Sequence, residues 1–288
     1  MSDEQFESAV THIIERALLE DIGMGDVTTE ATVAPDLVGE GIVRVKEPGI
    51  IAGLDVAALV FRMLDPELGW HAHVEDGGAV TSGIVAAKLH GPLSSILKGE
   101  RTALNVLQRM SGIATLTRRY VDAVRGTRAK ITDTRKTAPG LRILDKRAVQ
   151  LGGGENHRFG LDEMILIKDN HIEAAGGIAA ALDACMKYLA TKRFTSKIEI
   201  ETKSIAEVRQ ALAHGGMQRI MLDNYSAAGM GEAVSLIGGK VEVEASGNVS
   251  LENVRSIADS GVDFISVGAL THSPRALDIS LKISAAGR

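Results

Sequence analysis

The sequence predicts a protein of the α/β class whose C-terminal part is a closed or nearly closed barrel of parallel strands. From residue 130 onwards, short apolar runs of strand type alternate with stretches of helical type. Strands that alternate with helices form parallel βαβ units. The number of such units indicates a barrel rather than a short open sheet, although an open doubly wound sheet remains compatible with the periodicity alone.

Six apolar runs supply the predicted strands of this barrel. They are residues 130–134, 164–169, 197–202, 219–224, 241–246 and 264–269. Two of the segments between them, 204–216 and 250–261, each begin with serine and end with glycine. Serine is a favoured N-cap and glycine a favoured C-terminal residue, so both segments are predicted to be capped helices.

The first hundred residues predict a separate, mixed part of the fold. Residues 5–20 carry apolar side chains at helical spacing, while residues 41–47 and 83–91 have the look of strands bounded by glycine. A long helical pattern follows and includes Leu104 and Val124. We expect a change of domain near residue 112, inside or beside this helix.

Composition narrows the class of protein. A chain of 288 residues fits two domains, and a net charge of -5 gives no general reason to expect nucleic acid or an anionic membrane as a partner. No apolar run approaches the length of about 20 residues that spans a bilayer, and residues 1–10 lack the layout of a signal peptide. We therefore expect a cytoplasmic protein.

Cys185, the single cysteine, is expected to be a buried structural thiol.

A polar residue or a glycine stands at the end of every predicted barrel strand. These residues are Asp133, Lys168, Glu201, Asp223, Ser246 and Gly268. The carboxyl ends of barrel strands form one rim, and active sites are built there. Because these residues recur at the same position in each unit, the sequence predicts a shared ligand-binding rim.

The segment 133–171 is rich in basic residues near predicted strand ends or glycine-rich loops. They are Arg135, Lys136, His157, Arg158 and Lys168. Solvation alone would account for most surface cations, but several at one barrel mouth would form a dense site for anions. Arginine binds carboxylates and phosphates through two parallel hydrogen bonds, and lysine supplies a compact charge.

Two carboxylates and two glycine-containing loops complete the predicted rim. Glu201 and Asp223 are candidates for an acid and a base, for Mg²⁺ ligands, or for simple ion-pair partners of the nearby cations. Beside a basic cluster, a magnesium-bound polyphosphate is the most economical ligand. The loops 246–248 and 268–269 suit a phosphate, because glycine lets the backbone approach it and a following helix would offer free N–H groups.

Several longer motifs resemble those of the quinolinate phosphoribosyltransferases. They are LLEDIGMGDVTT from residue 18, GERTALNVLQRMSGIAT (99–115), DTRKTAPGLR (133–142), GGGENHRFGL (152–161), LIKDNHI (166–172), IEIE (198–201), MLDN (221–224), EASGN (244–248) and VGALTHS (267–273). The matches run in order over nearly the whole chain, and their joint occurrence is highly specific.

This resemblance implies a particular architecture. An N-terminal α/β sandwich domain, residues 1–112 joined by 276–288, would precede an incomplete, seven-stranded α/β barrel formed by residues 113–275. It also implies a homodimer in which the first domain of one subunit covers the barrel mouth of the other. Arg101 would then reach the partner's active site. Whether dimers associate further is left open.

The resemblance also implies a reaction and a set of site residues. The enzyme would transfer phosphoribosyl from phosphoribosyl pyrophosphate to quinolinate with loss of CO₂, giving nicotinate mononucleotide for NAD biosynthesis. Residues implied to line the quinolinate and pyrophosphate pocket are Arg101, Thr134 (through its backbone), Arg135, Lys136, His157, Arg158 and Lys168; Glu201 and Asp223 would hold the ribose and Mg²⁺; and Ser246, Gly247, Asn248, Val267, Gly268 and Ala269 would bind the 5′-phosphate.

His272 and Arg147 lie outside the set of site residues that the resemblance implies, and other functions are also compatible with the sequence. His272 is a weaker candidate for the site, and Arg147 stands where the family often has an aromatic residue. Alternative functions are a phosphoribosyltransferase-like protein associated with molybdenum uptake, a nicotinate phosphoribosyltransferase, a Schiff-base aldolase using Lys168, and a non-catalytic anion-binding barrel. The intact ENHR and IKDNH segments favour quinolinate chemistry, and the excess of basic residues favours a dicarboxylate over nicotinate.

Overall fold

The computed structural model describes residues 3–192 and 195–285. The described residues form two compact units. The first contains the chain up to Arg118, the segment Thr137–Gly153 and the chain from Ser273 onwards, and the second contains the described residues of Arg119–Lys136 and Gly154–His272. The domain ranges expected from the resemblance stay a prediction, and the structure places Thr137–Gly153 with the first unit.

Helices and strands follow one another in two series. Up to Ala123 they are α1 (Asp3–Ile22), α2 (Val27–Thr32), β1 (Val38–Val45), β2 (Gly49–Ile50), α3 (Leu54–Leu64), β3 (Gly69–Ala72), β4 (Ala79–Val80), β5 (Val85–Pro92) and α4 (Leu93–Ala123). From Lys130 they are β6 (Lys130–Thr132), α5 (Arg142–Leu151), β7 (Ile165–Ile167), α6 (Asp169–Ala175), α7 (Ile178–Lys192), β8 (Ile198–Thr202), α8 (Ile205–His214), β9 (Arg219–Asp223), α9 (Ala227–Ile237), β10 (Glu242–Ser246), α10 (Val254–Asp259), β11 (Phe264–Ser266), α11 (Ala269–His272) and β12 (Ile279–Ala285).

The first unit contains a four-stranded antiparallel sheet in the order β12-β1-β5-β3. The C-terminal strand β12 therefore returns to pair with the first strand of the chain. Burial alternates along β1, which is the pattern of a sheet with one face packed on a core. The predicted helix over residues 5–20 and the predicted strands near 41–47 and 83–91 are confirmed by α1, β1 and β5.

The second unit contains a six-stranded parallel sheet in the order β6-β11-β10-β9-β8-β7. The first strand of this series pairs with the last, as in an α/β barrel. The place of a seventh strand is taken by a single parallel bridge, which joins Thr132 to Glu155. The six predicted strands and the α/β class are confirmed. All five residues of β8 are buried, as expected for a parallel strand with side chains packed on both faces.

One of the two predicted helix starts is confirmed and the other is wrong. Ser204 caps α8, and its hydroxyl accepts the N–H of Glu207. In contrast, α10 begins only at Val254, after a turn in which the side chain of Asn253 accepts the N–H of Ser250. The side-chain amide of Asn253 forms hydrogen bonds with the preceding loop instead of capping α10. It thereby holds Ser250 outside the first turn of the helix.

Cys185 is less buried than expected. It lies half-buried on α7, and burial raises the pKa of its thiol. The expectation of a buried structural thiol is thus met only in part, since Cys185 is half-buried on the face of α7 that also carries the buried Ile178, Ala181 and Leu182. The raised pKa keeps the thiol protonated at neutral pH, which disfavours a nucleophilic role.

Among the described residues, no helix is both long enough and apolar enough to cross a membrane.

A buried carboxylate anchors α5 within the first unit. The side chain of Asp145 is fully buried and accepts two hydrogen bonds from Arg109, each 2.8 Å long. It also accepts the N–H of Ala138 at 3.2 Å. This carboxylate thereby ties α4, α5 and the loop before α5 together.

We expect Arg109→Ala to lower the free energy of unfolding by about 2–3 kcal/mol, because it leaves a buried carboxylate without its cation. Chemical denaturation at neutral pH measures this change. The matched control is Arg62→Ala, which removes an exposed arginine paired with Glu7 and should have a small effect. Equal losses in the two variants would show that the pair at Asp145 contributes no more than a surface pair.

Candidate active site

The carboxyl ends of the parallel strands place the predicted site residues on one rim of the second unit. Thr134 and Lys168 come just after β6 and β7, Glu201 lies near the end of β8, and Asp223 and Ser246 end β9 and β10. Val267 and Gly268 follow β11, and Ala269 begins α11. Asp223 and Ser246 are direct partners in the ladder between β9 and β10.

Two carboxylates and a lysine form the acidic part of this rim. The Lys168 Nζ lies 3.5 Å from the Oε2 of Glu201. Burial raises the pKa of Glu201, and the nearby Asp223 carboxylate raises it further, while Lys168 opposes the shift. Lys168 thus compensates only part of the negative charge of these two neighbouring carboxylates. An all-oxygen donor set of this kind fits Mg²⁺, whose charge would relieve the remaining repulsion.

The basic part of the rim contains two arginines close enough to influence each other. The pKa of Arg158 is lowered first by its half-burial and then by the charge of Arg135. Arg158 donates one hydrogen bond of 2.8 Å to the carbonyl of Met164. Like charges repel each other, so a dianionic ligand between the exposed Arg135 and the half-buried Arg158 would be favourable.

Lys136 connects this basic part to the loop after β11. The side chain of Lys136 packs so closely over Gly268 that a Cβ added there would lie 3.0 Å from its Cδ and 3.2 Å from the His272 ring. The carbonyl of Lys136 accepts a hydrogen bond from Thr271, and its N–H donates to the hydroxyl of Thr134. Lys136, Gly268 and His272 therefore lie together.

The loop after β10 is joined to Asp223 by amide side chains. Asn224 donates to the Asp223 carboxylate at 2.9 Å and accepts from Asn248 at 3.0 Å. Gly247 adopts a φ of +94°, and a Cβ there would lie 2.2 Å from the Asn224 Oδ1, so only glycine fits. No helix follows this loop directly, because α10 starts at Val254. The expected helix N-terminus is therefore wrong for the loop 246–248, whereas α11 does begin at Ala269.

Asp133 does not present its carboxylate at the rim as predicted. Its side chain is fully buried and accepts the main-chain N–H of His157 at 2.8 Å. The residue directly follows β6, but its carboxylate is used to hold the loop that carries His157 and Arg158. The prediction of a ligand-binding role for Asp133 is wrong for this reason.

A buried ionisable cluster inside the second unit was not predicted. The His157 Nε2 lies 3.1 Å from the Oε2 of Glu199 and 3.5 Å from the Oε2 of Glu244, and both glutamate side chains are fully buried. Arg219 donates to Glu244 at 2.9 Å and to Glu242 at 3.0 Å. Its guanidinium also lies 3.9 Å from the centre of the Phe264 ring.

Burial raises the pKa of both Glu199 and Glu244 to about 7. In each residue the Oε1 atom is buried and has no hydrogen-bond partner among the described residues. The two carboxyl groups also interact with each other. A proton held between them would reduce the repulsion between two adjacent buried acids, which the cations Arg219 and Arg158 offset only in part. The sequence does contain a signal for buried acids, since glutamate occupies alternate positions in the buried strands β8 and β10.

Two residues noted in the sequence lie in the first unit. Arg101 is exposed on α4 and has no ion pair or hydrogen bond with any part of the chain that the structure describes. Arg147 is exposed on α5, where its guanidinium carbon lies 5.7 Å from the centre of the Phe6 ring. The charge at position 147 thus has a packing partner on α1.

Comparison with known proteins covers nearly the whole chain. Residues 26–111 match the family described as quinolinate phosphoribosyl transferase, N-terminal domain, and residues 113–282 match the corresponding C-terminal domain. A tobacco (Nicotiana tabacum) relative named quinolinate phosphoribosyltransferase [decarboxylating] 1b is 48% identical over 286 residues, covering 94% of this chain and 81% of the relative.

A probable nicotinate-nucleotide pyrophosphorylase [carboxylating] of Synechocystis is 45% identical over 276 residues, covering 94% of this chain and 91% of the relative. The solved structure of the nicotinate-nucleotide pyrophosphorylase from Francisella tularensis superposes with a TM-score of 0.91 at 39% identity, over 96% of each chain. Both domain families and the relatives agree with the family that the sequence motifs indicate. The chain belongs to the quinolinate phosphoribosyltransferase family.

Proposed function

We propose that this chain joins quinolinate to phosphoribosyl pyrophosphate, with loss of CO₂ and pyrophosphate, to make nicotinate mononucleotide. The observation that carries the proposal is the pairing of opposite charges on one rim in a member of this family. Arg135 and Arg158 form a site for a dianion, and Glu201 and Asp223 form a neighbouring oxygen-rich site. One substrate is a dicarboxylate, and the other is a polyphosphate that binds with Mg²⁺.

In this proposal quinolinate binds beside the arginines. Arg135 and Arg158 hold its carboxylates, since a guanidinium forms two parallel hydrogen bonds with a carboxylate. The repulsion between the two guanidinium groups falls when a dianion lies between them. Thr134 accepts the N–H of Lys136, and the main chain of His157, next to Arg158, is held by the Asp133 carboxylate.

Phosphoribosyl pyrophosphate occupies the rest of the rim. Lys136 and Lys168 bind its pyrophosphate, and Glu201 and Asp223 hold the ribose hydroxyls and the Mg²⁺. The 5′-phosphate binds at two loops, one formed by Ser246, Gly247 and Asn248 and the other by Val267, Gly268 and Ala269. The closeness of Lys136 to Gly268 supports adjacent positions for the pyrophosphate and the 5′-phosphate.

Bond formation needs no general base, because the pyridine nitrogen of quinolinate carries its own lone pair. This nitrogen attacks the anomeric carbon as the bond to pyrophosphate breaks. Lys136 and Lys168 stabilise the negative charge that develops on the leaving group, and the carboxylates of Glu201 and Asp223 stabilise the positive charge on the ribose. Mg²⁺ held by Glu201 and Asp223 would supply further neutralisation of the pyrophosphate. Holding two anionic substrates in register is worth up to ~7–11 kcal/mol in favourable cases.

Decarboxylation completes the reaction at the ring position next to the nitrogen. As CO₂ leaves, the electron pair of the breaking C–C bond stays on the ring carbon, where the positive charge of the adjacent quaternary nitrogen stabilises it as an ylide, and a proton from solvent then bonds to that carbon. The arginines keep the ring in place by holding the retained carboxylate. The substrate thus provides its own electron sink, and the chain provides orientation.

The test is turnover of quinolinate with phosphoribosyl pyrophosphate and Mg²⁺, with nicotinate as a parallel substrate. We expect nicotinate mononucleotide from quinolinate and a far lower rate with nicotinate, because the monocarboxylate leaves one arginine without a partner. Equal use of nicotinate would favour a nicotinate phosphoribosyltransferase. If a folded preparation forms no product from quinolinate, the proposal is wrong.

We also propose that the enzyme acts as a homodimer in which Arg101 completes the partner's site. The exposed position of Arg101, without an ion pair in the described chain, supports a ligand outside its own subunit. A cytoplasmic location stays an expectation from the sequence, and some plant relatives carry names that mark them as mitochondrial or chloroplastic.

Subunit mixing tests the shared site. Arg101→Ala and Lys168→Ala, each nearly inactive alone, should regain about half of wild-type activity in a mixed dimer of the two co-expressed variants, because such a dimer contains one intact site of two. Activity is measured on dimers purified with two different affinity tags. Activity of the mixed dimers no higher than that of the parents would place Arg101 and Lys168 in the same subunit's site or outside it.

A further inference from the structure

We propose that Glu199 and Glu244 are positioning residues for quinolinate: they hold the His157 ring and, through it, the main chain that carries Arg158. The inference rests on the proposed function for its substrate and on the buried cluster for its geometry. Neither glutamate lies at the rim, and both are fully buried two residues before the rim residues Glu201 and Ser246.

The hydrogen bonds of His157 define its tautomer. The main-chain N–H of Arg158 donates to the His157 Nδ1 at 2.8 Å, so this nitrogen carries a lone pair and no proton. The ring proton of a neutral imidazole is then on Nε2, which points at the carboxylates of Glu199 and Glu244. Both ring nitrogens are therefore used by the chain itself.

The same tautomer argues against a metal ion in this cluster. Donor atoms of His157, Glu199 and Glu244 all lie within 4.8 Å of one another, which is a spacing that a divalent cation could bridge. A metal-bound histidine normally donates its second ring N–H to an acceptor. Here the second nitrogen accepts a hydrogen bond instead, and Arg219 already supplies a cation to Glu244. A protein hydrogen-bond network accounts for the cluster.

Asp133 and the His157 ring anchor the main chain at two successive residues, His157 and Arg158. The N–H of His157 is held by the buried Asp133 carboxylate, and the N–H of Arg158 is held by the His157 ring. Two successive peptide groups are thus anchored to buried side chains. The guanidinium of Arg158 is directed further by the carbonyl of Met164. Such anchoring holds Arg158 near the like charge of Arg135 before the substrate arrives.

Two substitutions at Glu199 separate the hydrogen bond from mere packing. Glu199→Gln keeps an oxygen that accepts the Nε2–H of His157, whereas Glu199→Leu removes the acceptor at similar volume. We expect Glu199→Leu to raise KM for quinolinate about tenfold, as for loss of one buried hydrogen bond, with little change in KM for phosphoribosyl pyrophosphate. Glu199→Gln should stay near the wild type.

The matched control is Ile200→Ala, at the next position of β8, where the side chain points to the other face of the sheet. It destabilises the same strand without touching His157. Should Ile200→Ala and Glu199→Leu raise KM for quinolinate equally, or should Glu199→Leu raise KM for both substrates alike, a purely structural role would replace the proposal.

Nitrogen NMR of the imidazole rings in the unmodified protein gives a second readout that needs no variant to be active. The His157 signals, assigned by their absence in His157→Gln, should show a bare Nδ1 and a protonated Nε2. A protonated Nδ1 would overturn the proposal. If the unmodified enzyme does not use quinolinate, the proposed function fails, and the spectrum still decides whether the ring is held in this way.

Discussion

Arg135→Ala should lower kcat/KM for quinolinate by about a hundredfold or more, because it removes one cation of the site for the dicarboxylate. The loss should appear mainly in KM for quinolinate, with KM for phosphoribosyl pyrophosphate less affected. Arg135 is exposed, so the free energy of unfolding should change little. Steady-state kinetics with each substrate varied in turn, together with chemical denaturation, measure both quantities.

Two further variants define what Arg135 contributes. Arg135→Lys keeps the charge and loses the planar pair of donors, so it should recover only part of the lost activity. Arg209→Ala removes an exposed arginine from α8 in the same unit and should leave the kinetics unchanged. If Arg135→Ala behaves like Arg209→Ala, Arg135 does not bind quinolinate.

Asp223→Asn should raise the Mg²⁺ concentration for half-maximal rate by about 10- to 100-fold, the range seen when a group that supports a bound metal is removed. The substitution replaces a carboxylate by a neutral amide of nearly the same size. It leaves Glu201 with less neighbouring negative charge and weakens the oxygen-rich site for a cation. Initial rates over a Mg²⁺ titration at fixed substrate concentrations measure the effect.

The control is Asp259→Asn, which changes an exposed carboxylate paired with Arg255 on α10. We expect the same Mg²⁺ dependence as in the unmodified enzyme. An unchanged Mg²⁺ dependence and rate in Asp223→Asn would remove Asp223 from the site.

The parallel strands and the rim could be predicted because both depend on local patterns. Strands such as β8 and β9 are short apolar runs between helices, and the residue at each strand end follows from chain direction alone. The closeness of Glu201 to Asp223 follows in turn from neighbouring parallel strands. The charge of the ligand was predicted from residue types at those positions.

The interior of the second unit could not be predicted in the same way. The partners Glu199, Glu244 and His157 are far apart in sequence, and their contact depends on which strands neighbour one another and on which face each side chain points. In the sequence, Asp133 resembles the other rim residues because it lies at the end of a predicted strand. Its hydrogen-bond partner, the N–H of His157, cannot be recognised from the sequence. The late start of α10 depends likewise on the single side chain of Asn253.

The most direct test follows a carboxyl label through a single turnover. Quinolinate carrying ¹³C in the carboxyl group next to the ring nitrogen is mixed with phosphoribosyl pyrophosphate, Mg²⁺ and the unmodified enzyme. We expect every nicotinate mononucleotide formed to be unlabelled and to be matched by one labelled CO₂ and one pyrophosphate. Labelled nucleotide, or CO₂ release without consumption of phosphoribosyl pyrophosphate, would contradict it.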